Sequence, residues 1–449
     1  MYERIKGFRD FYPKEMVARR ATTDVLEETA CQYGFREIGT PALERAALWT
    51  DKSGDEIVEE LYAFEDQGGR HVALTPELTP TVARMVVAKG QELTKPIKWY
   101  STRPFWRYEQ VQQGRQREFY QTNVDIFGST EPEADAEILA WAADALTGLG
   151  LTGDHFEFRI SHRDILGGVL ETFDASGGGS GSTGEGATPG DQTIDVEAAI
   201  RAVDKSGKIS TVEYHDLLVD AGLSPEDAET FDDLISAGDL DAVVEFADTE
   251  RVTDAVENLQ AVLEAAEDFG AREYCTISLE TARGLDYYTG VVFECFDSAG
   301  EVSRSIFGGG RYDDLIESFG GQPTPAVGVA PGHATLSLLC QRAGVWPEEE
   351  LATDYYLLSV GDTRTEAARI ARQLRERGHV VESDVAGRSF GGQLDYADSI
   401  NAETTVIVGE RDLAEGAVTV KDMASGEQVQ VPVDEFPGGH DRPTYDDFV

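Results

Sequence analysis

"RPFWRYEQVQQGRQREFYQTNVDIFG", residues 103–128, sets two aromatic-rich runs on either side of a glycine. With the preceding "IKWYST" it reads as two antiparallel strands joined by "QVQQGR", where Gly114 permits the turn. Alternation in the second strand puts Phe119, Gln121, Asn123, Asp125 and Phe127 on one face and Tyr120, Thr122, Val124 and Ile126 on the other. A face that mixes Gln and Asp with aromatics is unusual for a core strand. At about 3.3 Å per residue, Gln121 and Asp125 lie about 13 Å apart along it, room for a small ligand with hydrogen-bonding groups at both ends. The stretch also packs four arginines, Arg103, Arg107, Arg115 and Arg117, into fifteen residues. Arg107 and Arg115, at the mouth of the strand pair, suit a polyanion whose phosphates take charge-assisted, often bidentate contacts. No GxxxxGK[ST] occurs, and "GGGRYDD" (308–314) lacks the Lys-Ser/Thr that would follow in a phosphate-binding loop of that kind.

Outward from this hairpin, 449 residues exceed what one hydrophobic core usually organises, so several domains are expected. Strand-rich, arginine-containing stretches at 70–128 and 275–335 flank a different composition. Residues 174–191, "DASGGGSGSTGEGATPGD", have too little apolar content to order themselves and read as a flexible loop. Residues 192–269 repeat apolar positions at three and four, with Ser224-Pro225 as an N-cap and first-turn pair and Gly222 and Gly270 as stops. That is a helical insert. From residue 354, "YYLLSV", "RTEAARIARQLRERG", "HVVESD", "GGQLDYADSINA", "TTVIVG" and a final hairpin alternate strand and helix in an α/β domain.

The chain carries 84 acidic against 38 basic residues, a net −46, and only 9 of the basic residues are lysine. Such a field repels nucleic acid and loosens the fold at ordinary ionic strength. In molar salt the Debye length falls to about 3 Å, and surface charges stop sensing one another beyond contact range. The acidity therefore points to a salt-saturated cytoplasm rather than to a ligand. No run approaches a membrane helix, and "MYERIKGFRDFYPKE" has no apolar signal-peptide centre, so a cytoplasmic location is expected. The scattered Cys31, Cys275, Cys295 and Cys340 indicate neither a disulfide framework nor zinc. "DKSGKIS" (204–210) places Gly207 fourth and His215 twelfth, which does not fit a calcium loop; no resident metal is expected.

"FWRYE" followed by "GRQREFYQTNVDIFG" resembles motif 2 of class II aminoacyl-tRNA synthetases, and "ARGLDYYTGVVFE" (282–294) is similar to the signature of histidyl-tRNA synthetases. "FGGGRYDDLIESFGG" (307–321), "LTPELTPTVARMV" (74–86), "GFRDFYPKE" and "EIGTPALE" (37–44) resemble further blocks of that family, in order and nearly end to end. The resemblance implies an α+β architecture: an antiparallel-sheet catalytic domain with a helical insertion, plus a C-terminal α/β anticodon-binding domain. Expected bounds are catalytic core at 1–167 and 276–345, loop and insertion at 168–275, anticodon-binding domain at 352–434 and an acidic tail at 435–449.

Carried over residue by residue, the resemblance implies that Glu77, Leu78, Thr79 and Gln121 form the amino-group side of a histidine site. Asp125 and Tyr288 would read the imidazole, with Tyr287 and Tyr312 lining the same pocket. A carboxylate with a phenol satisfies the one donor and one acceptor of a neutral imidazole and leaves other amino acids with unpaired buried groups. Arg107 and Arg283 are implied as the catalytic pair that brackets the ATP α-phosphate beside the histidine carboxylate, Arg115 as a contact to the β- and γ-phosphates, and Glu109 as an adenine or metal contact. Mg2+ is implied on the pyrophosphate limb, and a homodimer by motif 1. At 332–335, "GHAT" departs from the family's GxER: no arginine stands at Thr335. Either adenine is clamped another way, with His333 a candidate, or ATP use is impaired.

The implied activity is histidine–tRNA ligation, with L-histidine, ATP and tRNA(His) as partners. The alternative is a histidine-binding regulatory paralogue of the kind that serves ATP phosphoribosyltransferase, which generally lacks the anticodon domain and the motif 2 arginine. Basic charge in the last domain is concentrated in "RIARQLRERG" (369–378) and Arg388, so tRNA binding is expected to rest on shape, stacking and base-edge contacts.

Overall fold

Two strands of ten residues, Ile97–Trp106 and Glu118–Phe127, pair in antiparallel register from Ile97 opposite Phe127 to Trp106 opposite Glu118. The computed structural model describes residues 2–50, 55–177, 193–282, 287–302, 304–347, 353–433 and 436. The turn is where the sequence puts it. Gly114 has φ +75°, and Gln112 and Arg115 exchange backbone hydrogen bonds of 3.2 and 3.0 Å across it; glycine adopts that positive φ at little cost.

These strands sit within an eight-stranded sheet. In chain order its members are β1 (Arg36–Glu37), β2 (Ile97–Trp106), β3 (Glu118–Phe127), β4 (Phe156–His162), β5 (Cys275–Ile277), β6 (Val291–Asp297), β7 (Phe307–Arg311) and β8 (Ala326–Val329), and they lie side by side as β1-β2-β3-β8-β7-β6-β4-β5. All neighbours are antiparallel except the edge pairs β1/β2 and β4/β5. One face packs Val124, Ile126, Phe158 and Phe293 against the helix Pro132–Gly148 and the helical insert in one large core. The other face carries a smaller cluster, in which Phe105, Phe127, Tyr288, Val292 and Tyr312 meet the helix Thr79–Lys89. That helix lies inside a stretch expected to be strand-rich. Pro80 opens its first turn, and Val82, Ala83 and Val86 form the apolar stripe it buries.

The helical insert runs as Val196–Val203, Thr211–Asp220, Pro225–Ala237, Leu240–Phe246 and Glu250–Asp268. Ser224 accepts a hydrogen bond from the Asp227 backbone N–H, the cap that the sequence indicates. The Gly/Ser stretch 174–191 lies beyond the described residues from 178 on. The chain divides into two compact units, Met1–Asp10 with Arg19–Pro347, and Phe11–Ala18 with Glu348–Val449. In the second unit the strands β9 (Thr353–Val360), β10 (Val381–Ser383), β11 (Ala402–Gly409), β12 (Ala417–Asp422) and β13 (Gln428–Pro432) order as β10-β9-β11-β12-β13, with helices Arg364–Glu376 and Phe390–Ser399 as crossovers. The expected acidic tail lies outside the described residues except for Phe436, which is buried and meets the Tyr355 ring at 6.3 Å.

Candidate active site

Strand pairing makes the floor of the site. Val292, Gly310, Gly328, Asp125 and Trp99 stand directly opposite one another on five neighbouring strands, so all five belong to one face. The two glycines leave a lane with no side chains, and the space is used. A Cβ on Gly328 would fall 2.2 Å from Asp125 Oδ1 and 2.8 Å from Tyr312 Oη; one on Gly310 would fall 3.0 Å from the Tyr288 ring. Only glycine lets the carboxylate and the two phenols lie down on the sheet.

Three tyrosines from outside the strands close over this lane. Tyr287, Tyr288 and Tyr312 have ring centroids 4.9, 5.8 and 6.4 Å apart, and the Tyr312 hydroxyl donates to Asp125 Oδ1. Asp125 is 4% exposed, and burial pushes its carboxyl up to about 7, against the opposing pull of the Tyr312 hydrogen bond. Burial raises the Tyr312 phenol well above its ordinary range, and the neighbouring Asp125 adds to this, so it stays a neutral donor. The pair can therefore offer a group near neutrality with a proton to give or take. Glu77 and Thr79 are buried at the start of the helix Thr79–Lys89, and Tyr287 Oη donates to Glu77 Oε2 at 3.5 Å. Leu78, beside them, is packed into the apolar cluster. Gln121 lies two residue pairs along β3 from Asp125, opposite Arg103 on β2 and bridged to Gly332 on its other side.

The four arginines of the hairpin separate into two pairs. Arg107 is half-buried, donates from Nε to the Pro76 carbonyl at 3.0 Å and lies 5.5 Å from the Phe119 ring, on the same face as Asp125. Arg115 is half-exposed and reaches Glu109 Oε2 at 3.3 Å. The other two are held by the protein itself. Arg103 is buried and donates to the Thr40 carbonyl at 2.9 Å; Arg117 donates to the Glu109 carbonyl at 3.2 Å and stacks 3.7 Å over the Tyr108 ring. Arg107 and Arg115, which the sequence sets at the mouth of the strand pair, thus stay the candidates for a polyanion.

His333 is a further correction. Its Nε2 hydrogen-bonds Thr122 Oγ1 at 3.0 Å and its ring lies 6.5 Å from Tyr120, both on the face of β3 turned away from Asp125. Burial first, then the charge of Arg19, takes its pKa down to about 4. It opens the helix His333–Ala343, whose Leu336, Leu339 and Cys340 belong to the large core, and that packing fixes the ring on the wrong side for an adenine clamp. Arg283 lies outside the described residues, and with it the pairing of two guanidiniums expected from the sequence.

Comparison with known proteins agrees with this arrangement along the whole chain. A histidyl-tRNA synthetase family model matches residues 7–182 and 195–336, and an anticodon-binding-domain model matches 354–439. The chain is 69% identical over 448 residues to a histidine–tRNA ligase of Natronomonas pharaonis and 38% identical over 442 residues to one of Pyrococcus furiosus, covering 100% and 98% of those relatives. The chain belongs to the histidyl-tRNA synthetase family. Among solved structures, a histidyl-tRNA synthetase from Nostoc superposes with a TM-score of 0.76 at 25% identity, covering 97% of each chain. An ATP phosphoribosyltransferase regulatory subunit/histidyl-tRNA synthetase from Bacillus halodurans gives 0.72 at 25% identity, with 91% of this chain covered.

Within the histidyl-tRNA synthetase fold one group shapes the site without having been singled out. Arg311 forms a buried ion pair with Asp135 and donates at 2.8 Å to the Ser129 carbonyl, while Thr289 N–H bonds the Arg311 carbonyl at 2.9 Å. Asp313 accepts from Ala326 N–H at 3.0 Å. These contacts fix the backbone on both sides of Tyr312 and aim its ring at Asp125. "GGGRYDD" carried the signal, but its partner Asp135 is 176 residues away, which no local pattern reveals.

Proposed function

We propose that this histidyl-tRNA synthetase family member is a histidine–tRNA ligase, which joins L-histidine to ATP as histidyl-adenylate with release of pyrophosphate and then passes histidine to the 3' end of tRNA(His). The observation that carries the reading is the Asp125–Tyr312 pair on its glycine lane under Tyr287 and Tyr288, in a chain 69% identical end to end to a histidine–tRNA ligase. A regulatory paralogue also superposes on this fold. Two features favour the ligase: Arg107 is present on the pocket face, and an anticodon-binding-domain match occupies 354–439.

In this reading Asp125 and Tyr288 recognise the imidazole, and Glu77, Thr79 and Gln121 hold the α-amino group. The substrate carboxylate is already ionised, so it attacks the α-phosphorus without a general base and pyrophosphate leaves. Arg107, with Arg283, neutralises charge developing on the non-bridging oxygens. Arg115 meets the outer phosphates, and Glu109 is an adenine or metal contact. Among the described residues no three His, Cys, Asp or Glu side chains cluster as metal ligands. Magnesium on the pyrophosphate limb, which the family implies, would be held with the help of Glu109 and would supply charge neutralisation there. No helix among the described residues is long and apolar enough to cross a membrane; cytoplasmic location and a homodimer complete the proposal.

In the C-terminal unit three arginines are held in ion pairs. Arg369 pairs with Glu366, Arg372 with Glu376, and Arg388 with Asp384 while lying 3.9 Å over Tyr396. These pairs lower the cationic charge available for counterion release, in line with tRNA contacts that depend weakly on salt. The deciding experiment is histidine-stimulated ATP–pyrophosphate exchange in molar KCl, followed by charging of tRNA(His). Histidine binding without exchange would assign the chain to the regulatory class.

A further inference from the structure

The departure at Thr335 leaves one cation fewer around the nucleotide than the family pattern implies, and a different arginine stands next to the gap. Arg304 lies in the segment between β6 and β7. The segment is anchored two residues further on, where Thr335 Oγ1 donates to the Ile306 carbonyl at 2.5 Å and Ile306 N–H bonds the Cys295 carbonyl at 2.7 Å. Across from Thr335 sits the arginine turn: a Cβ on Gly114 would lie 3.2 Å from Thr335 Cγ2. Thr335, the 112–115 turn and the approach to β7 therefore form one wall.

The electrostatics of Arg304 are those of a cation awaiting an anion. Arg304 is half-buried, with the like charge of Arg115 and the opposite charge of Glu109 nearby. Glu109 is paired with Arg115 at 3.3 Å. Nη1 of Arg304 is buried and has no hydrogen-bond acceptor among the described residues. In a chain with 84 acidic residues, a guanidinium that is partly buried beside another and given no acceptor is costly, and the cost is recovered only when something anionic enters.

We propose that Arg304 is a nucleotide-binding residue, which from the β6–β7 segment joins Arg115 in holding the terminal phosphates of ATP. The inference rests on the ATP-dependent reading above. It adds to the nucleotide site a cation, at residue 304, that the sequence reading did not name.

The test compares Arg304→Ala and Arg304→Gln with the full-length unaltered chain in molar KCl. Calorimetric binding of the non-hydrolysable α,β-methylene analogue of ATP reads the nucleotide site directly. It should weaken about 10- to 100-fold in both variants, the loss expected for a charge-assisted contact left unmade. Histidine binding, measured without nucleotide, should stay within twofold. In pyrophosphate exchange the KM for ATP should rise by the same factor while the KM for histidine does not. Unchanged analogue binding in the folded Arg304→Gln protein overturns the assignment, as does parallel weakening of histidine and analogue, which would mark a structural role. Loss of exchange in the unaltered chain with analogue binding intact would count against the ligase reading alone, since the calorimetric comparison still decides Arg304.

Discussion

The two faces of β3 are equally buried and are put to opposite uses. Val124 and Ile126 point into a core that runs through the helix Pro132–Gly148 and the insert, and their burial stabilises the fold by the transfer of apolar surface from water. Asp125, between them in sequence, points to the glycine lane, and its burial costs stability whenever the carboxyl ionises. One face is thus selected by packing and the other by what it must hold. An accessible-surface view alone cannot tell them apart.

That contrast is open to attack, and the strongest attack is on the pocket face. Arg107→Ala should lower the exchange rate by about 10²–10³-fold, the usual cost of losing one fixed transition-state donor, with little change in melting temperature. A variant that unfolds, or one that still exchanges, would erase the distinction between the faces. Asp125→Asn should reduce kcat/KM for histidine by about 100-fold or more, because the imidazole loses its charged acceptor. The same variant sharpens the comparison through pH. Burial holds the folded Asp125 carboxyl up to about 7, above the ordinary aspartate value of 3.8, so the folded state keeps a proton that the unfolded chain releases. Stability from this site is therefore full below about 4 and is lost as pH rises to about 7. Denaturant titrations of Asp125→Asn should lack that decline and show the variant equal or superior in stability at pH 8.

Gly328→Ala should raise the KM for histidine by about 10-fold, since the added methyl falls 2.2 Å from Asp125 Oδ1 and must displace it. On the core face, Thr122→Val removes the hydroxyl shared by His333 and Thr102 and should cost about 1–2 kcal/mol in chemical denaturation while the KM for ATP stays within twofold. A clear rise in that KM would return His333 to the nucleotide site.

The hairpin was legible because everything that specifies it is local: alternation of side chains, a glycine at the turn and strands of equal length. The same holds for the caps of the insert and for the strand–helix alternation of the C-terminal unit. Side chains whose partners come from other strands were not legible. Alternation assigns Thr122 and Asp125 to opposite faces, but the sequence cannot say that the helix beginning at His333 crosses the face of Thr122. Nor can it say that Arg103 will spend its guanidinium on the Thr40 carbonyl, 63 residues back. Position in the hairpin picks out Arg107 and Arg115 in the sequence, but what holds Arg103 and Arg117 is seen only in the fold. Gly328 shows the same limit. It is one of two glycines in "GVAPG", and its importance follows from standing opposite Asp125.

The bare lane at Gly310 and Gly328 sets a direction for any attempt to re-engineer the cavity. Two of the positions beneath the phenols already have the smallest residue there is, so the hollow cannot be deepened from below. Replacements there can only subtract volume. Widening it would have to begin from the roof, at Tyr287, Tyr288 or Tyr312, and at the first and last of these would surrender the hydroxyls now donated to Glu77 and Asp125.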